Sequence, residues 1–384
     1  MISTVSCVRS GTTDLLDKPS SCDKIVVNTA GPSSPTRTGR FSYFMGASAP
    51  GLRYVKPYLA VVDQIALLQS RGMEITDLTA ATACLGRVGY YRLSGYWYPS
   101  RNSHTITDPL TGDEVLDPVT KKPQVVVEDG FRAGTTFQQV MDLYVFDKKL
   151  RLLFLDAIER VEVALRVDIA LLIGARDPWA HRDPDQLHGN FTKQINPLHG
   201  HTDYSKWLER LDQLFSNAKE EFAKHFKLKY AGEHPPIWIA IEVWDFGMLS
   251  AFLSGMKMAD REELAAKYGL PRQALLTTLA RNLNHIRNVC AHHSRLWNRS
   301  PADQLSRPRY GEVVLLDHLS NDLLARSRIY ATAAALQFML KTIHPASGWG
   351  NRLQQHIASF PTSDVASVRQ AGFPEGWEEL PLWQ

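Results

Sequence analysis

The sequence predicts a mainly helical protein, a bundle whose neighbouring helices are joined by short connections, and three observations carry that expectation. Apolar residues recur at three- and four-residue steps over most of the chain from Lys56 onward. Capping and helix-breaking residues fall where those runs begin and end. Only residues 99–135 combine a valine run with turn signals, so strands are expected there and nowhere else. There is no convincing internal repeat.

Residues 1–50 are rich in Ser, Thr, Pro and Gly and lack apolar periodicity, which predicts a disordered extension. Met45 stands just ahead of the first patterned segment and fits a translation start, which an intact mass would test. A first helix is expected after Pro57, with Leu59, Val62, Ile65, Ala66 and Leu68 on one face and a stop at Arg71-Gly72. Thr76 or Asp77 should cap a second. The Gly86–Tyr98 run of glycines and aromatics then reads as a break in the helix.

After the irregular or β excursion at 99–135, Thr136-Phe-Gln-Gln139 fits a capping box opening a long helix to about Ile173, ended by Gly174. A polar loop with four histidines covers 177–203. Helices are expected again at 204–230, 236–256, 260–268 and 272–297, and, after a Pro- and Arg-containing loop, at 319–343 and 349–359. The boundaries suggest an N-terminal helical region over 51–135, a main helical domain over 136–345 and a helical tail over 346–384.

Composition narrows the function classes only gently. The 384 residues are 44% apolar and 22% charged with a net charge of +3, which permits a nucleic-acid partner without arguing for one. Four scattered cysteines with no CxxC pair suit a reducing cytoplasm. No secretory signal or membrane span is expected. The sequence has no GxxxxGK[ST] loop, GxSxG elbow, HExxH or carboxylate cluster of the two-metal kind, and the loop histidines His181, His188, His199 and His201 lack zinc-ligand spacing, so neither metal nor cofactor is expected.

The most distinctive run is Arg281-Asn-Leu-Asn-His-Ile-Arg-Asn-Val-Cys-Ala-His-His-Ser-Arg-Leu-Trp-Asn-Arg299. On an ideal helix Arg281, His285, Asn288, His292, Arg295 and Arg299 lie within about 40° of one line. Leu279, Leu283, Ile286, Cys290 and Trp297 fall opposite. The stripe holds no acid and two imidazoles, unlike a solvated face of mixed charge, and has the residue types of an RNA-cutting site.

Several blocks in order, Tyr90-Tyr-Arg-Leu-Ser-Gly-Tyr96, Leu143-Tyr-Val-Phe-Asp-Lys-Lys-Leu-Arg151, Ile158-Glu-Arg-Val-Glu162, Pro236-Ile-Trp-Ile-Ala-Ile-Glu-Val-Trp-Asp-Phe-Gly247 and Arg287–Arg299, resemble the bacterial Abi-like family of abortive-infection proteins over roughly 54–345. The Gly372–Trp377 ending looks similar too. The resemblance implies a HEPN-like helical bundle, kinship with the nucleases of type VI CRISPR systems, and RNA cleavage without metal by an Arg, a short spacer and a His. Arg287, Asn288 and His292 match that motif. With one motif per chain, a homodimer is implied.

Cleavage through the RNA 2′-hydroxyl needs two proton transfers and a cation for the phosphorane. Histidine, with an ordinary pKa near ~6.5, serves the first need and arginine the second. His292 is therefore assigned proton transfer, Arg287 phosphate binding and Asn288 orientation, with a 2′,3′-cyclic phosphate product. Arg281, His285, His293, Arg295 and Arg299 are RNA-contact candidates. Arg287 and His292, five residues apart, sit about 140° apart round a helix, so a distorted helix, a curled arginine or a two-chain site is required, and the two-chain site is favoured.

For Asn288 a helix-shaping role weighs about equally with chemistry. Glu159, Glu162 and Glu242 could pair with the motif's cations but fit structural ion pairs better. Tyr90, Tyr91, Tyr96, Trp97 and Tyr98 beside Arg87 and Arg92 could stack on RNA bases, though core packing is the stronger expectation. Two other functions stay open: an RNA-binding module that holds a small structured noncoding RNA with little cleavage, and a scaffold or antitoxin-like partner without RNA.

Overall fold

The computed structural model describes residues 57–118 and 121–384, so the expected extension at 1–50 lies outside the described residues. The described chain is mainly helical, as the periodicity predicts. Helix α1 (Val61–Ser70) begins later than expected, four residues after Pro57, and α2 (Leu78–Val88) is capped by Asp77, whose carboxylate accepts the Ala80 N–H at 2.8 Å. The Gly and aromatic run does not simply break the helix. Only Gly89 leaves helical geometry, with φ +90°, and Tyr90–Trp97 forms α3. A side chain at Gly89 would be strained there, so the turn between α2 and α3 rests on glycine.

Residues 101–132 are a unit of their own, built on the antiparallel strands β1 (Arg101–Thr105) and β2 (Val125–Phe131). Ser103 faces Val127 and Thr105 faces Val125, with a register irregularity between Arg101 and Ser103.

The helical unit is organised by α4 (Phe137–Gly174), 38 residues and about 57 Å long. Its capping box is formed as the sequence predicts: Thr136 Oγ1 accepts the Gln139 N–H at 3.1 Å and Gln139 Oε1 accepts the Thr136 N–H at 3.0 Å. Gly174 ends the helix for a different reason than a left-handed cap. A Cβ there would lie 3.0 Å from Ile237 Cγ2 and 3.2 Å from the Trp238 ring, so glycine admits the next layer.

The expected polar loop contains α5 (Gly189–Thr192) and a second strand pair, β3 (Ile195–Asn196) with β4 (His201–Thr202), outside the one strand region expected; each strand is two residues long, too short to carry a valine run or an alternating pattern. Then come α6 (Asp203–Asn217), α7 (Glu221–Lys229), α8 (Ile237–Ala240), α9 (Phe246–Gly255), α10 (Met258–Lys267) and α11 (Gln273–Ala291). The chain closes with α12 (Leu323–Ser327), α13 (Ile329–Ile343) and α14 (Trp349–Ala358). Helices α3, α8, α11, α13 and α14 all pack on α4, whose Leu150, Phe154, Ile158, Val161, Leu165 and Ile169 are buried. Removing such side chains from water is the main favourable term in folding. Beyond α14 the tail is irregular yet core-forming: Trp383 is buried and its Nε1–H donates to Tyr330 Oη at 3.2 Å.

His181 is fully buried beside Trp244, and neither ring nitrogen has a hydrogen-bond partner among the described residues. Burial, helped by Arg182 and His234 against Asp212, pushes its pKa down to about 3. The native ring therefore stays neutral while the unfolded chain binds a proton near pH ~6.5, so stability falls as pH drops below that value. In urea unfolding, the wild type is expected to lose about 2 kcal/mol more than His181→Leu between pH 7 and pH 5. Equal losses would contradict this assignment.

Candidate RNA site at the end of helix α11

Helix α11 buries Leu279, Leu283, Ile286 and Cys290, the residues expected opposite the polar stripe. Arg281, Asn288 and His292 are exposed, while His285 and Arg287 are half-buried. The expected helix to Trp297 is corrected: α11 ends at Ala291, so Arg295 and Arg299 do not continue its stripe. His292 caps the helix, its N–H donating to the Asn288 carbonyl at 2.9 Å. His293 then adopts a left-handed φ of +57°. The His293 N–H donates to the Cys290 carbonyl at 3.1 Å and the Ser294 N–H to the Val289 carbonyl at 2.9 Å, the pair of bonds that closes a Schellman turn. Glycine usually occupies the position of His293, and a side chain there costs about 1–2 kcal/mol.

That cost is offset by a clamp centred on Asp147, whose carboxylate is fully buried. It accepts the Trp297 N–H at 2.7 Å, the Leu296 N–H at 3.1 Å and the Tyr96 hydroxyl at 2.7 Å, and it is paired with Arg151. Burial outweighs these partners and holds the Asp147 carboxyl above the usual carboxylate range. Arg151 also reaches the Ser294 carbonyl at 3.3 Å, Arg92 the His293 carbonyl at 2.6 Å, and Arg295 the Gly95 carbonyl. Three arginines and one aspartate thus fix the turn that carries His292 to α3 and α4.

Arg287 faces another set of groups. Its Nη1 donates to Asn288 Oδ1 at 3.4 Å, and its charge is felt by Glu162 on α4. Glu162 pairs with Arg166 at 2.5 Å, and burial raises its carboxyl pKa, with Asp245 and Glu159 adding and the two arginines opposing. Glu159 and Glu242 are exposed. Asn284, which carries no role in the sequence reading, lies beside Asp245 and Gly247 at the start of α9.

His285 belongs to a third environment, toward Arg299 and Asp303, where burial lowers its pKa. Its Nε2 has no hydrogen-bond partner among the described residues. Arg299 Nε donates to the Arg295 carbonyl at 3.0 Å, so both arginines bind backbone. The six-residue stripe therefore separates into an exposed line of Arg281, Asn288 and His292, two arginines turned to structure, and a sheltered His285. Burial pushes the Cys290 thiol up to about 12, which leaves it unreactive.

The clamp residues Tyr96, Asp147 and Arg151 lie in blocks singled out by resemblance, but the sequence suggests only core packing or base stacking for Tyr96 and no role for Asp147 and Arg151. An aspartate and arginine four residues apart within an apolar stripe were the available signal. The aromatic run divides: Tyr96 and Trp97 are core, whereas Tyr91 is exposed. Among the described residues, no three His, Cys, Asp or Glu side chains gather as a metal would need, and no helix is long and apolar enough to cross a membrane.

The sequence model of the Abi-like protein family matches residues 83–298, a span that runs from α2 through the clamp to the end of the turn. No curated protein and no solved structure matches the chain. The family match covers more than half of the 384 residues, and the chain belongs to the Abi-like family.

Proposed function

We propose that this member of the Abi-like family acts in abortive infection, a defence against phage, as a HEPN-type endoribonuclease that needs no metal. The observation that carries the reading is the exposed His292 on a strained turn that the Asp147 clamp holds rigid, one turn beyond Arg287 and Asn288. Strain maintained by surrounding contacts concentrates at functional sites. One histidine removes the 2′-hydroxyl proton as the O2′–P bond forms, and a second protonates the 5′-oxygen as the P–O5′ bond breaks. Arg287 stabilises the phosphorane charge. The products are a 2′,3′-cyclic phosphate and a 5′-hydroxyl.

A single chain supplies one His292, so the site is composite across a homodimer. Val145, Leu152, Val163, Val167 and Leu171 are exposed and share one side of α4, interspersed with Lys149, Asp156 and Arg160 and bordered by Arg166 and Glu159. That stripe supports a second copy docking beside the Glu162–Arg166 pair and Arg287. When wild-type and His292→Ala chains are mixed and allowed to exchange subunits, the mixed dimer holds a single His292 and is expected to be nearly inactive, so cleavage falls with the square of the wild-type fraction. Cleavage that falls only in proportion to the wild-type fraction would contradict the composite site.

A second reading rests on Arg281, which is exposed and forms no ion pair among the described residues. With Asn288 and His292 on the same line it supports a surface that holds a structured noncoding RNA with little cleavage. A discrete RNA that co-purifies uncut would favour this reading.

A further inference from the structure

We propose that Tyr91 is a stacking platform for an unpaired RNA base next to the phosphate that is cut, a positioning contact at the entrance to the His292 turn. The inference rests on the RNA-cutting reading for the identity of the ligand, but its observations are separate. Tyr91 is 93% exposed and makes no ring contact with another aromatic side chain among the described residues. Its neighbours on α3 are fixed. Tyr90 stands edge-on to Trp97 at 4.9 Å and accepts a hydrogen bond from Arg71, Leu93 and Trp97 are fully buried, and Tyr96 is bonded to Asp147. A rigid helix thus presents one free ring.

The direction of that ring's surroundings is what points to RNA. Arg92, the next residue, is exposed and clamps the His293 carbonyl at 2.6 Å, which ties this turn of α3 directly to the strained motif. Arg87, at the end of α2, is also exposed and forms no ion pair among the described residues. An exposed aromatic ring with arginines one residue after it and four residues before it in the chain meets the two needs of a single-stranded RNA, a surface for the base and cations for the backbone. Other tyrosines are nearly as exposed, Tyr58 at 89% and Tyr310 at 78%, but neither is joined to the motif turn by a bond such as that of Arg92. A sequence-tolerant stack would set where a flexible strand is held without reading its bases by hydrogen bonds.

The test uses the full chain and a fluorescein-labelled single-stranded oligonucleotide whose 2′-hydroxyls are replaced by fluorine, so that binding is read without cutting. Tyr91→Ala is expected to weaken binding about tenfold or more, Tyr91→Phe to bind within about twofold of wild type, and Tyr58→Ala to match wild type. A probe of abasic residues is expected to bind wild type and Tyr91→Ala equally. Unchanged thermal melting of Tyr91→Ala would separate stacking from folding. Wild-type binding by Tyr91→Ala, an equal loss in Tyr91→Phe, or no binding by the wild type would each overturn the proposal. Tyr91-dependent binding by a chain that never cuts RNA would sustain the stacking contact while overturning the nuclease reading and the placement beside a cut phosphate. Cleavage that depends on His292 but not on Tyr91 would do the reverse.

Discussion

On the proposed mechanism, His292→Ala is expected to lower the rate of RNA cleavage by about 10²–10⁴-fold, the range expected when a positioned acid or base is removed. The substitution leaves the fold intact, because His292 is an exposed helix cap whose fixed contact is made by its backbone N–H. A homodimer built from this variant loses both histidines at once, which places the loss toward the upper end of that range. His293→Ala provides the internal comparison. Its backbone carbonyl is the part held by Arg92, so its side chain is dispensable and cleavage falls much less. Rates should be measured on one RNA at saturating concentration, with circular dichroism confirming the fold. A His292→Ala chain that cuts as fast as wild type would remove the proposed proton carrier.

Asp147→Ala destabilises the chain by about 3–5 kcal/mol, the cost of removing one partner from a buried ion pair. The substitution leaves Arg151 uncompensated in the interior and takes the acceptor away from the Leu296 and Trp297 N–H groups and the Tyr96 hydroxyl. A loss of that size is a large share of a total stability of about 5–15 kcal/mol. The variant is expected to express poorly and to unfold at much lower urea concentration. Asp147→Asn, which keeps an acceptor oxygen, should lie between the two and should lose cleavage beyond its loss of stability, because the turn carrying His292 loosens. A loss below about 1 kcal/mol for Asp147→Ala, the level of a surface pair, would contradict the clamp.

The helical architecture was legible because its signals are local. The Thr136–Gln139 box, the Asp77 cap and the apolar steps of α4 act within a few residues of themselves, and the structure follows them. The turn at His292 and His293 was not legible, because nothing near it announces a stop. Glycine would have done so, and histidine stands in its place. The stop depends on Asp147 capturing N–H groups 149 and 150 residues away in sequence, a tertiary contact that outweighs local helix preference. The same distance explains why a six-residue stripe drawn on one ideal helix became three environments. It also explains why Tyr91 and Tyr96, alike in sequence, were indistinguishable until α3 was seen to bury one and expose the other.

The central claim is that the chain cuts RNA with its own side chains, and end-group analysis of RNA incubated with the purified protein in excess EDTA tests it most directly. Fragments ending in a 2′,3′-cyclic phosphate with 5′-hydroxyl partners, formed by the wild type and not by His292→Ala, are the predicted result. RNA left intact by the wild type, or fragments ending in a 3′-hydroxyl and a 5′-phosphate, would contradict it.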